Sequence, residues 1–202
     1  MIRIGILALQ GAFIEHKRLL DLCHVSSFEI RQLSDLIGPI DGLILPGGES
    51  TVQGRLLMDL SLFEPLLSMI QSGLPVYGTC AGAILLAKNL TNDSHHWFQT
   101  MNITVKRNAY GRQLGSFKVA LPFKDRGIIP MVFIRAPLIA SVGNTVDILA
   151  THQGDIVAAL EGNQLVTSFH PEVETDLTVH QFFISLCEAH QAIKNKRPNV
   201  AV

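Results

Sequence analysis

Cysteine is scarce in this 202-residue chain: Cys23, Cys80 and Cys187 are the only three, widely spaced and odd in number. That is too few for a disulfide framework, so an apolar core has to hold the fold, and a reducing compartment is the expectation. A surplus of either charge is also lacking. Lys+Arg 16 against Asp+Glu 17 leaves a formal charge of −1, with no basic block anywhere. Nucleic acid and anionic membrane surfaces therefore gain no support as partners. No uninterrupted apolar run approaches the ~18 residues of a spanning helix. The opening Met1-Ile2-Arg3-Ile4-Gly5 enters an apolar strand at once, without a basic leader, and a cytoplasmic protein is expected. Repeats, low-complexity tracts and linkers are absent as well. One domain over 1–202 is the economical reading, with about 195–202 a tail that frays.

What is present is apolar: 48% hydrophobic residues against 16% charged describe a packed globular chain. Ile2 to Leu9 is a near-continuous apolar run, the pattern of a strand covered on both faces in a parallel sheet. Phe13 to Cys23 reads as an amphipathic helix, Phe28 and Ile30 as a short second strand, and Gly42 to Leu45 as a third that stops at Pro46. Strand, helix, strand in this order predicts βαβ units. Between Asn102 and Leu160 the texture shifts to short strand-like runs separated by turn residues. About Asp176 to Lys194 reads as a closing helix, and Thr91 to Gln99 as a surface loop.

Gly78-Thr79-Cys80-Ala81-Gly82 lies between the apolar Leu74 to Tyr77 and the helix-like Ala83 to Ala87. This is the pattern of a nucleophile elbow with cysteine in the serine position: small residues on either side let strand and helix approach, and the thiol sits at a helix start that favours thiolate. A buried, inert cysteine would look the same in isolation. The second piece is Ser168-Phe169-His170-Pro171-Glu172, which follows the apolar Leu165-Val166-Thr167. His170 can serve as base and Glu172 as the group that orients it, the order expected of a Cys-His-Glu triad.

Pro46-Gly47-Gly48-Glu49-Ser50-Thr51 follows the third strand. Its paired glycines can turn N–H groups into a site, so Gly48 and Ala81 are the candidate oxyanion donors. The Lys-Ser/Thr ending of a phosphate loop is missing. His95-His96 has no C-x-x-C or H-E-x-x-H beside it, and no metal is expected. An arginine could capture the carboxylate of a free amino acid. Spacing alone does not choose among Arg107, Arg135, Arg112 and Arg55.

Over essentially its whole length the chain resembles the class I glutamine amidotransferases, and among them the glutaminase subunits of pyridoxal 5′-phosphate synthases. The resemblance rests on Gly5 to Ala12 with Glu15-His16, on Leu45 to Thr51, on Gly78 to Gly82, on Arg107-Asn108-Ala109-Tyr110-Gly111-Arg112-Gln113, on Phe133 to Pro137 and on Phe169 to Glu172. It implies an α/β fold: a flavodoxin-like three-layer sandwich around a mixed, mainly parallel sheet. It further implies Cys80 as nucleophile, His170 as base and Glu172 as its partner. L-glutamine would lie against Gly48, Glu49, Ser50, Arg107, Ile134 and Arg135. No cofactor is implied, and the partner would be a barrel-shaped synthase subunit in a hetero-oligomer, receiving the ammonia. The chain departs from the family pattern at Val52-Gln53-Gly54-Arg55 and at Val173-Glu174, both beside the site. Competing readings are a glutaminase serving another acceptor and a non-catalytic regulatory subunit.

Overall fold

The computed structural model describes residues 2–91, 93, 95–107 and 116–196. The expected tail beyond 196 and the segment 108–113, including Arg112, lie outside the described residues.

Buried on both faces, β1 (Arg3–Leu7) pairs in parallel with β2 (Ser26–Ile30) and β3 (Gly42–Leu45), and β3 pairs with β4 (Val76–Thr79). The next neighbour of β4 is β12 (Gln164–Thr167), also parallel, although 90 residues separate Tyr77 from Thr167. This gives a parallel half in the order β2-β1-β3-β4-β12. Beyond β12 the sheet turns mixed through β11 (Asp155–Glu161), β9 (Leu138–Val142), β6 (Met101–Lys106) and β5 (Ala87–Leu90), with β10 (Asp147–His152) paired to β11. A separate antiparallel hairpin joins β7 (Ser116–Pro122) and β8 (Ile128–Ile134).

Strand alternation divides the interior into two cores. Ile4, Ile6, Ile44, Tyr77 and Leu165 face one side, where they meet α1 (Phe13–Leu22), α5 (Thr178–Lys196) and the hairpin. Leu7, Leu43, Leu45, Val76 and Val166 face the other, packing on α2 (Ser50–Asp59), α3 (Phe63–Gln71) and α4 (Ala81–Leu86). Helices thus cover both faces of a mixed sheet, the three-layer α/β arrangement expected. Because β1, β3, β4 and β12 run in parallel, the loops after them emerge at the same edge, where α/β proteins place their sites.

Two local expectations are revised. The helix after the elbow stops at Leu86; from Ala87 the chain becomes β5, pairing Ala87 with Met101 and Leu90 with Val105. All six residues of α4 are buried, so its length is set by the space between strands and not by helical periodicity. Nor is 91–99 merely a surface loop: Phe98 is buried and stacks on Phe63 at 5.0 Å, and Trp97 covers Gly54 so closely that a Cβ there would lie 2.3 Å from its ring.

Candidate active site

Cys80 joins β4 to α4 with φ 47° and ψ −96°, a strained combination for a residue with a Cβ. A Cβ on Gly78 would lie 2.6 Å from the carbonyl carbon of Gly82, and one on Gly82 would lie 2.1 Å from the Leu45 oxygen. Only glycine at both positions lets the turn close against β3. The Cys80 N–H donates to Thr167 O at 2.8 Å, which ties the elbow to the end of β12. Burial raises the thiol pKa of both other cysteines, Cys187 the more strongly.

His170 follows β12, and its backbone N–H donates to Val132 O of β8 at 2.7 Å. Pro171 then opens a single 3-10 turn, Pro171–Val173, folding Glu172 back so that its Oε1 lies 2.7 Å from His170 Nδ1. The Glu172 side chain is fully buried. Burial by itself would lower the His170 pKa; interaction with the Cys80 thiol and then with Glu172 outweighs it and raises the value to about 10. With Nδ1 taken by Glu172, His170 meets the Cys80 thiol through Nε2, which is buried and otherwise without a hydrogen-bond partner.

The glycine loop closes over this pair. A Cβ on Gly47 would lie 2.4 Å from His170 Cε1 and 3.6 Å from Cys80 Cβ. The loop is pinned from the β1 side: Ala12 N–H donates to Gly47 O at 3.0 Å and Glu49 N–H to Gln10 Oε1 at 2.7 Å. Gln53 Nε2 spans Gln10 O at 2.9 Å and Pro46 O at 3.1 Å. Ser50 is buried at the first position of α2, while the Glu49 side chain is exposed.

Of the arginines, Arg107 reaches this loop: its guanidinium lies 3.2 Å from Thr51 Oγ1 and 3.8 Å from Glu49 Oε1, and it pairs with Asp93. The His95 backbone N–H, then its ring and Arg107, hold the Asp93 carboxyl well below the usual carboxylate range. Ile134 ends β8, the strand whose Val132 anchors His170, and Arg135 follows it with φ 45°; both side chains are exposed. Arg55 lies exposed on α2. His95 bonds Asp93 and stacks on Trp97. Among the described residues no group of three or more His, Cys, Asp or Glu could hold a metal ion, and no helix is long and apolar enough to cross a membrane.

Sequence reasoning gave no role to Gln10, Gln53, Asp93, or the buried pair His16 and His180. The signal for the last two was positional: His16 shares a helical face with Leu19 and Leu20, and His180 with Phe183 and Ile184, so both point into the core.

A buried cysteine on a strained strand-to-helix elbow, beside a His-carboxylate pair at the sheet's carboxyl edge of an α/β protein, is an arrangement that can support nucleophilic chemistry. The chain matches the SNO glutamine amidotransferase family over residues 6–189, and it belongs to that family. It is 60% identical over 184 residues to the pyridoxal 5′-phosphate synthase subunit PdxT of Methanocorpusculum labreanum, covering 91% of this chain and 97% of that one. To the Streptococcus pneumoniae protein of the same name it is 55% identical over 189 residues, 92% and 97% of the two chains. A solved glutamine amidotransferase superimposes with a TM-score of 0.87 at 37% identity, covering 92% of this chain and 98% of that chain. A second solved glutamine amidotransferase, from Thermotoga maritima, shares the fold, with a TM-score of 0.61 at 14% identity and coverage of 96% and 85%.

Proposed function

We propose that Cys80, His170 and Glu172 are the catalytic triad of a cytoplasmic glutaminase, that residues 1–202 act as one glutaminase unit, and that the ammonia released passes to a synthase subunit making pyridoxal 5′-phosphate. The chain and that barrel-shaped subunit would form a hetero-oligomer. Support for the partner comes from the PdxT relatives; support for the triad comes from the buried 2.7 Å bond between His170 and Glu172 beside Cys80. That bond is the observation that carries the reading.

In the first half-reaction the Cys80 thiolate attacks the side-chain amide carbon of L-glutamine, forming a C–S bond and a tetrahedral oxyanion. Two N–H groups would receive that oxygen. Ala81 opens α4, where a backbone N–H has no partner within the helix, and the Gly48 N–H borders the loop packed on His170. The His170 imidazolium gives its Nε2 proton to the departing nitrogen, so the C–N bond breaks and ammonia leaves a thioester. Water, deprotonated by the same nitrogen, attacks the thioester; the C–S bond breaks, and glutamate and the thiolate are restored. Glu172 accepts from the ring's Nδ1–H and keeps Nε2 turned to the reacting atoms. Glu49, Ser50, Arg107, Ile134 and Arg135 would hold the amino-acid end of the substrate, with Arg107 already at the loop through Thr51 and Glu49.

Two hydrogen bonds latch Gly47 and Glu49 to 10–12, so a partner docking there would re-aim the Gly48 N–H and raise the rate. Glutamate release by the purified chain, with and without the synthase, tests the reading. Wild type should turn over faster with the synthase, and Cys80→Ala should not turn over while melting as wild type does. An electrophilic glutamine analogue should label Cys80 alone. Turnover by Cys80→Ala would refute the triad; a rate already maximal without synthase would refute only the gating.

A further inference from the structure

Behind the triad lies a second, fully buried row of polar groups. His16 of α1 and His180 of α5 are both 0% exposed, and His16 Nδ1 lies 2.9 Å from His180 Nε2. His16 Nε2 lies 3.0 Å from the Thr79 hydroxyl and 3.7 Å from Glu172 Oε2. Thr79 immediately precedes Cys80. Glu172 Oε2 and His180 Nδ1 are buried without hydrogen-bond partners.

These contacts set the direction of the row. A lone pair on His16 Nε2 would face the carboxylate and be repelled by it, so Nε2 carries the proton and Nδ1 is bare. His180 must then donate from Nε2 to His16 Nδ1, which leaves His180 Nδ1 a bare acceptor. That is the less costly buried group to leave unpaired, in agreement with its lack of a partner. Both rings stay neutral: burial, and for His16 also the neighbouring His180 and His170, lower their proton affinity, with His180 down to about 4. Tyr77 lies edge-on to both rings and closes the row on the β4 side. The titratable groups facing Glu172 are therefore His170, His16 and Tyr77, with His180 one step behind.

We infer that His16, oriented by His180, is a positioning residue that fixes the second carboxylate oxygen of Glu172 and the elbow residue Thr79, so that the triad is held from two sides. The inference rests on the triad reading above. A neutral N–H dipole aimed at Oε2 favours the ionised carboxylate without adding a charge that would compete with the His170 imidazolium. At 3.7 Å it acts as a charge–dipole approach, shared with Thr79, and not as a full hydrogen bond.

The test is the pH profile of kcat/KM for glutamine hydrolysis with the synthase present. In His16→Leu the carboxylate loses its facing dipole and takes up a proton more readily, so the acid limb should move up by on the order of half to one pH unit. His16→Gln, whose side-chain amide can place an N–H where Nε2 stood, should restore the limb. His180→Leu, which releases the tautomer, should shift it the same way by less. If His16→Leu does not fold, the His180→Leu shift and its absence in His16→Gln decide the matter. Loss of rate or thermal stability with unmoved acid limbs would reduce His16 to a packing residue and overturn the inference. A Cys80→Ala protein that still hydrolyses glutamine would instead overturn the triad reading beneath it.

Discussion

Gly47→Ala isolates the fit of the glycine loop on the triad. The added methyl carbon would stand 2.4 Å from His170 Cε1 and 2.9 Å from Nδ1, against ~3.5–4.0 Å for an unstrained contact, so about 1 Å must be found. The imidazole cannot yield without losing the 2.7 Å bond to Glu172, and behind Gly47 its carbonyl is held by the Ala12 N–H at 3.0 Å. Whichever side moves, the base and the nucleophile lose register. A misplacement of about 1 Å costs on the order of 10²-fold in rate, about 2.7 kcal/mol of barrier. Because the strained contact is with a ring at the edge of the core, the thermal midpoint should fall little compared with that loss. Glutamate release under saturating synthase, measured beside a thermal melt, provides the check. A variant within threefold of wild type would show that Gly47 does not border the reacting base.

Gly82→Ala presses on the backbone of β3, 2.1 Å from Leu45 O, and should lower stability by about 1–3 kcal/mol, read as a midpoint drop of roughly 2–12 °C, with activity falling as the elbow shifts. Glu172→Gln should lose on the order of 10²–10⁴ in kcat, less than His170→Ala; equal rates in Glu172→Gln and wild type would remove Glu172 from the triad. With His180 held down to about 4, and His16 lowered beside it, the unfolded chain binds their protons first, so the contribution of each ring to stability is full above pH 6.5 and falls by up to about 1.4 kcal/mol per pH unit toward pH 4. Urea titrations at pH 7, 6 and 5 measure the slope, which should flatten in His180→Leu; an unchanged slope would mean that the ring charges inside the fold.

Much of this protein is local in origin. The run from Ile2 to Leu9 and the stretch Gly42 to Leu45 are apolar at successive positions, a pattern that only burial on both faces rewards; this made a parallel, helix-covered sheet legible before any coordinate. Cys80 between Gly78 and Gly82, and Glu172 two residues after His170, were legible for the same reason: an elbow and a His-carboxylate turn each lie within a few residues, so steric need and chemistry leave their mark in adjacent letters. Tertiary structure decided what distant segments do together. Only the parallel pairing of β4 with β12 brings Thr79 and Cys80 beside Thr167 and His170. Only the packing of α1 and α5 on one face joins His16 to His180, 164 residues apart. Among four arginines of equal promise in sequence, β6 carries Arg107 to Glu49 and Thr51 and leaves Arg55 exposed on α2. The β5 strand that cuts α4 short has the same source: the hydrogen bonds of a sheet edge, made to β6 across the intervening 91–100, outweigh the helical pattern of a six-residue segment.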